Sequence, residues 1–408
     1  MSTDRRRHSR MSNLALLPAD LDRLQRRLGP TGRDALGIWL LSRVSMWVLA
    51  VAAGWLFVAE GQDVLPWAER WVRWDFVHFR GIAESGYGGR PTEVPNEAFF
   101  PGLPGLLWLG SQLGLSHVVT GLLVSLVAGA VAAVALGRLG ELEGGPAAGR
   151  LTVLAWVCAP PAVFLAAPYT EALFLACAFP AWLAARRGNW LAAGVLTSLA
   201  CTVRVSGVFL AAAVGVHWLA TRIEAWRTTA PDRTGDDGPR GWSWSGFGWL
   251  FLPLIPLAAW MAYLKHLTGD WLAWLDAQAE EWNREFHWPW EAWANTWNVV
   301  FGGAYSPEVA WMFGAELVAL TVGVALTAGL LWWRRWGEAT WVGLQVIAFG
   351  TSFWFFSVPR ASLLWWPLWV ALGVLAARRR WVLWAYLVIS APLMGVWAVA
   401  FLTGRWAG

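Results

Sequence analysis

Long apolar runs alternate with short charged connections along most of the chain. Eleven runs stand out, at 37–59, 117–139, 151–167, 170–186, 189–203, 205–221, 247–266, 309–333, 339–357, 362–378 and 381–402. Runs of this length are what an α-helix needs to cross a bilayer with its backbone hydrogen bonds satisfied internally. The pattern predicts an all-α polytopic membrane protein of about eleven transmembrane helices, several of them short enough to be broken. The segment "FFPGLPGLLWLGSQLG" (99–114) is apolar but carries two Pro and four Gly. It reads as a helix dipping in from one surface. The stretch "ADLDRLQRRLGPTGRDALG" has helical apolar spacing and is expected to lie on a membrane surface.

The polar connections are asymmetric. Eight Arg precede the first run, and further Arg fall at 138 and 150, 186 and 187, 334 and 335, and 378 to 380, with four more in 222–240. With the N-terminus inside, all of these lie on the cytoplasmic side, as the positive-inside rule requires. The chain then divides into a basic, amphipathic N-terminus (1–36) and a membrane domain (37–408). That domain holds a first outer loop (60–116), a cytoplasmic linker (221–246) and a Trp-rich outer loop (267–308).

Composition agrees. Of 408 residues, 57% are hydrophobic and 14% charged, against about 25% charged in soluble domains. The net charge of +4 reports topology and gives no reason to expect nucleic-acid binding. Only Lys265 among 31 basic residues is a lysine, which points to a GC-rich bacterial genome and a bacterial plasma membrane. The three Cys sit inside apolar runs without metal-ligand or disulfide spacing. Interfacial belts account for part of the 36 Trp.

The chemistry gathers on the outer face. In "RWDFVHFRGIAESGYGG" (73–89), helical spacing puts Asp75, His78, Phe79 and Ile82 on one side. Asp75 either faces the bundle or caps the helix that follows it. Glu97 precedes "AFFPGLPG". Tyr169, Thr170 and Glu171 form an outer turn, where Thr170 and Glu171 also suit a helix start. Arg204 and Arg360 depart from the positive-inside pattern. Each is either an anion ligand, since a guanidinium fork suits phosphate, or one half of an ion pair with Glu97 or Glu171. Arg43 is the one clear charge in mid-run. The loop "GDWLAWLDAQAEEWNREFHWPWEAWANTW" carries seven Trp. It reads as a pair of interfacial helices or as a lid that stacks on a sugar.

Carboxylates that take a proton, Arg that hold phosphate and lipid-facing walls suit a membrane-embedded glycosyltransferase with a lipid-phosphate sugar donor. One base and one displacement would invert the anomeric carbon. No P-loop, H-E-x-x-H or G-x-S-x-G motif competes. A carrier or flippase of lipid-linked sugars would show charges deep in the spans and repeated halves. The crowding of polar groups on one face favours an enzyme.

The ordered segments "RWDFVHFRGIAESGYGG", "NEAFFPGLPGLLW", "APPAVFLAAPYTEALFLACAF", "TVRVSG", "GDWLAWLDAQ" and "SVPRASLLWWP" resemble the GPI mannosyltransferase II (PIG-V type) family of the GT-C glycosyltransferase superfamily. The resemblance runs over about residues 37–370. It implies a GT-C-like bundle, a dolichyl- or polyprenyl-phosphate mannose donor and inverting transfer. It also implies Asp75 as base, with Glu97, Glu171, Arg204 and Arg360 lining the site. His78 would orient Asp75 or contact the donor phosphate, and Trp74 and Tyr169 would line the substrate. Ser206 and Ala361 stand where the family often has Asn and an aromatic residue. Those departures bear on the acceptor, which is a glycan, glycolipid or protein. A GT-C transferase of another sugar is the alternative enzyme. No cofactor is expected, although Asp75, His78 and Glu97 could share a divalent cation.

Overall fold

The computed structural model describes residues 18–57, 65–88, 95–228 and 243–407, with side chains from Leu28 onward. The first 17 residues and most of the expected linker 221–246 lie outside that set, as do parts of the first outer loop. Among the described residues the secondary structure is helical throughout, with no strand. The helices are α1 (Pro18–Leu56), α2 (Asp75–Ser85), α3 (Gly102–Gln112), α4 (His117–Val157), α5 (Thr170–Arg186), α6 (Trp190–Cys201), α7 (Ser206–Thr228) and α8 (Leu254–Thr268). They continue with α9 (Ala273–Trp282), α10 (Pro289–Phe301), α11 (Pro307–Trp332), α12 (Trp336–Gly350), α13 (Val358–Ser362), α14 (Trp366–Arg378) and α15 (Arg380–Leu402).

Six of these are long and apolar enough to cross a membrane: Leu28–Leu56, His117–Val157, Ser206–Thr228, Phe247–Thr268, Pro307–Trp332 and Arg380–Leu402. They coincide with six of the eleven expected runs. Of the other runs, 170–186 folds at its expected bounds as α5 and the rest fold shorter. α5, α6, α12 and α14 have 17, 12, 15 and 13 residues. The run at 151–167 becomes the end of α4 followed by a 3-10 segment, Pro160–Leu165. The expected break between the second and third runs is a bend inside α4. Gly144 and Gly145 leave helical geometry there, ahead of Pro146, whose ring cannot continue an unbroken helix. Gly29 (φ 56°) turns α1 in the same way before Pro30, so the amphipathic N-terminal stretch runs into the first span.

Small residues let the helices approach. A Cβ at Gly373 would lie 2.1 Å from Thr152 Oγ1 and 2.6 Å from its backbone N, so α14 sits directly on α4. Gly129 leaves room for the Trp39 ring, which stacks on Trp156 at 5.9 Å. Trp39, Trp71, Trp156, Trp182, Trp341 and Trp365 are fully buried. The Trp excess is therefore partly a core property. Indoles fill large interior volume, and several use their N–H to satisfy backbone carbonyls.

α5 carries charge at both ends, and α12 at its start. At one end Glu143 pairs with Arg186 at 2.6 Å and with Arg335 at 2.8 Å, and Arg335 meets Glu338 at 2.5 Å. At the other end lie Glu171 and the last turn of α12, beside a cavity. Arg43 is buried over Trp39 in mid-span, at 4.1 Å. It is not alone there, because Glu316 of α11 is also buried within an apolar run.

Candidate active site

A cavity of about 410 Å³ opens among α2, the loop before α7, the α9–α10 segment and the turn from α12 to α13. Its charged wall is formed by Asp75, Arg204, Arg284 and Arg360. Aromatic residues including Trp74, Phe99, Trp274, Trp282 and Phe349 supply much of the rest.

Asp75 is the first residue of α2. Its carboxylate makes no capping bond among the described residues and turns instead to Arg360, with Oδ2 2.8 Å from Nη1. Trp74, just before it, holds φ 46° and ψ −121°. A bulky L-residue costs about 1–3 kcal/mol there, so surrounding contacts hold this backbone in place. Tyr169 is one of them: its buried hydroxyl donates to the Arg73 carbonyl at 2.7 Å.

Glu171, fully buried at the first turn of α5, is shared. Its Oε1 accepts from Arg360 Nε at 2.5 Å and from Arg204 Nη1, while Oε2 has no partner among the described residues. Arg204 also donates to Thr170 Oγ1 at 2.9 Å. Of the two readings open for Arg204 and Arg360, the geometry contains the ion pair with Glu171. Arg360 lies against the Phe164 and Tyr169 rings, 4.8 Å from each centroid. Burial opposes its charge, but Glu171 and Asp75 hold the guanidinium above its ordinary range.

The turn carrying Arg360 is pinned from both sides. Glu316 accepts from the backbone N–H of Ser357 (2.9 Å) and of Val358 (2.7 Å). Ser357 is left-handed at φ 67°. At the other end of α13, Trp369, Trp156 and Trp341 donate to the carbonyls of Ser362, Leu363 and Leu364.

Two expected residues stand apart. His78 stacks on Phe99 at 5.0 Å, its Nδ1 buried without a partner, and does not reach the cavity wall. Glu97 sits half-buried in the 3-10 turn Asn96–Ala98, also off the wall. Among the described residues no three His, Cys, Asp or Glu side chains gather to hold a cation. Tyr169 and Glu171 lie behind the wall, under Arg360. Arg284 and Glu316 escaped the sequence reading. Arg284 breaks the positive-inside pattern, as Arg204 and Arg360 do, and Glu316 is a carboxylate inside an apolar run, so both carried a usable signal.

The helices and this cavity define an all-α, multi-pass membrane protein with an ion-paired site at one end of its bundle. No family model matches the chain. It is 41% identical over 147 residues to the GPI alpha-1,6-mannosyltransferase 2 of Mus musculus, a match covering 33% of this chain and 29% of that one. The Homo sapiens protein of the same name is 37% identical over 146 residues, with the same coverage. The chain thus spans about three-tenths of the length of the curated relatives it matches. Among solved structures it is similar to an Archaeoglobus fulgidus oligosaccharyltransferase in complex with zinc and sulfate. There the TM-score is 0.43 at 13% identity, covering 89% of this chain and 53% of that one. ArnT of Cupriavidus metallidurans bound to undecaprenyl phosphate gives a TM-score of 0.44 at 16% identity, covering 90% and 75%.

Proposed function

We propose that the protein is an inverting mannosyltransferase of GT-C type. It would take mannose from a polyprenyl- or dolichyl-phosphate donor and pass it to a hydroxyl acceptor at the extracytoplasmic face. The similarity to GPI alpha-1,6-mannosyltransferase 2 supports the sugar and the reaction class. The observation that carries the reading is the Asp75–Arg360 pair at 2.8 Å on the cavity wall. Arg360 occupies Oδ2, and Oδ1 makes no protein bond among the described residues. In the proposed step Asp75 Oδ1 takes the acceptor hydroxyl proton as that oxygen attacks the anomeric carbon from the side opposite the lipid phosphate. The bond from the anomeric carbon to the phosphate oxygen breaks, and the phosphate leaves with one more negative charge. A guanidinium placed before that charge develops stabilises it without reorganisation.

The assay is mannosyl transfer by purified protein from synthetic polyprenyl-phosphate mannose to a panel of glycan, glycolipid and peptide hydroxyls. Transfer with inversion is expected. Transfer of a different sugar only, from the same lipid phosphate, would leave the class and remove mannose.

The two-faced arrangement makes a separate prediction. In a background without native Cys, single cysteines at the exposed positions 285 and 379 are probed with an impermeant thiol reagent on intact cells. Position 285, in the α9–α10 segment, should label, and position 379, between α14 and α15, should not. The reverse pattern would turn the protein over in the membrane and put the cavity inside.

A further inference from the structure

Among the described residues Arg284 is the one cationic side chain on the cavity wall without an ion pair. Arg204 and Arg360 are matched by Glu171 and Asp75. Arg284 has no ion pair and no side-chain hydrogen bond among the described residues, and its Nε is buried without a partner. Glu316, the other buried carboxylate nearby, turns its two oxygens to the Ser357 and Val358 N–H groups.

The placement of Arg284 is built. Asn283 before it is left-handed at φ 50°. Around it the chain is tied to the end of α12: Phe353 N–H donates to the Asn283 carbonyl (3.2 Å), His287 N–H to the Thr351 carbonyl (2.7 Å), and Asn295 Nδ2 to the Phe353 carbonyl (2.8 Å). The guanidinium lies over the Phe349 ring at 5.0 Å. Burial pushes its pKa down to about 10, and the nearby Arg204 and Arg360 push the same way. A partly buried guanidinium with its Nε enclosed is costly among like charges unless an anion arrives to pair with it.

We infer that Arg284 is the residue that takes the donor's phosphate, Arg204 and Arg360 being held by Glu171 and Asp75. This rests on the lipid-phosphate reading above and adds to it a ligand that the outer Trp-rich segment brings to the site. A phosphate seated on the Arg284 guanidinium supplies the missing negative charge. It also ties the α9–α10 segment to the donor, so donor binding and closure of the aromatic wall become one event.

The test uses two probes in nanodiscs: synthetic polyprenyl-phosphate mannose, and a dialkyl phosphate of matching chain length without sugar. Arg284→Gln should weaken binding of both by about 30-fold or more, the usual scale for stripping the partner from a buried charge-assisted contact. Arg284→Lys, which keeps the charge without the fork, should fall between. Without ligand, Arg284→Gln should unfold at a higher temperature than wild type, because an unpaired buried charge is gone. A structural arginine would do the opposite. Wild-type affinity in Arg284→Gln, or a lowered unfolding temperature with unchanged affinity, overturns the assignment. If both lipids bind through Arg284 but no mannose is transferred, the donor reading falls and the anion site stands. A wild type that binds neither probe removes both.

Discussion

Asp75→Asn is expected to lower mannosyl turnover by about 10²–10⁴, the range a general base supplies, while donor binding survives. Asn keeps the volume and can still accept a hydrogen bond from Arg360, but it cannot take a proton at neutral pH. Arg360 remains paired with Glu171 at 2.5 Å and Arg284 is untouched, so donor binding should persist. The helix-cap reading makes the contrary forecast, because Asn caps about as well as Asp. In the structure the Asp75 side chain turns away from the α2 backbone to Arg360. Turnover and donor affinity measured on the same preparation separate the two. Near wild-type turnover would make Asp75 a structural partner of Arg360. It would also leave the site without a base, since Glu97 is off the wall.

Glu171→Gln is expected to destabilise the protein by about 3–5 kcal/mol, the cost of removing one partner from a buried ion pair. Glu171 is fully buried and is the only carboxylate among the described residues that touches both Arg204 and Arg360. Gln preserves the shape and an acceptor oxygen, so the loss isolates the charge. Two guanidiniums would then face each other, with only Asp75 left to balance them. Thermal unfolding in detergent or nanodiscs reads the change. Glu308→Gln serves as the control, because its pair with Arg405 is exposed on both sides and screened exposed pairs contribute little. Equal unfolding temperatures for the two variants would mean that the Glu171 cluster is as dispensable as a surface pair.

The role of the Arg360 turn links these outcomes. Glu316 holds the start of α13 and three indoles hold its end. Arg360 therefore reaches Asp75 and Glu171 from a backbone with little freedom. Trp74 and Ser357, both with positive φ, precede Asp75 and Arg360 by one and three residues. Strain of this kind persists where neighbouring contacts over-determine the backbone, and such places are often functional.

By itself the sequence determined the helical class, most of the element positions and the residue types of the site. Hydropathy is a local, additive quantity, so each apolar run declares its own preference for a helix in lipid without reference to the others. The same locality made Asp75, Glu171, Arg204 and Arg360 visible, as charges where a membrane chain rarely keeps them. What the sequence left open was pairing and depth. Whether Glu171 or Glu97 meets Arg360, whether His78 reaches the cavity, and which arginine stays unpaired all depend on how α2, α5, α9 and α13 pack. Those contacts join residues tens to hundreds of positions apart. The short helices that the apolar runs foreshadowed have a related cause. α5, α6, α12 and α14 came out shorter than a bilayer, because neighbouring helices can satisfy a backbone that lipid would leave bare. Only the packed bundle decided that Glu171 sits under two arginines and that Arg284 has no paired carboxylate among the described residues.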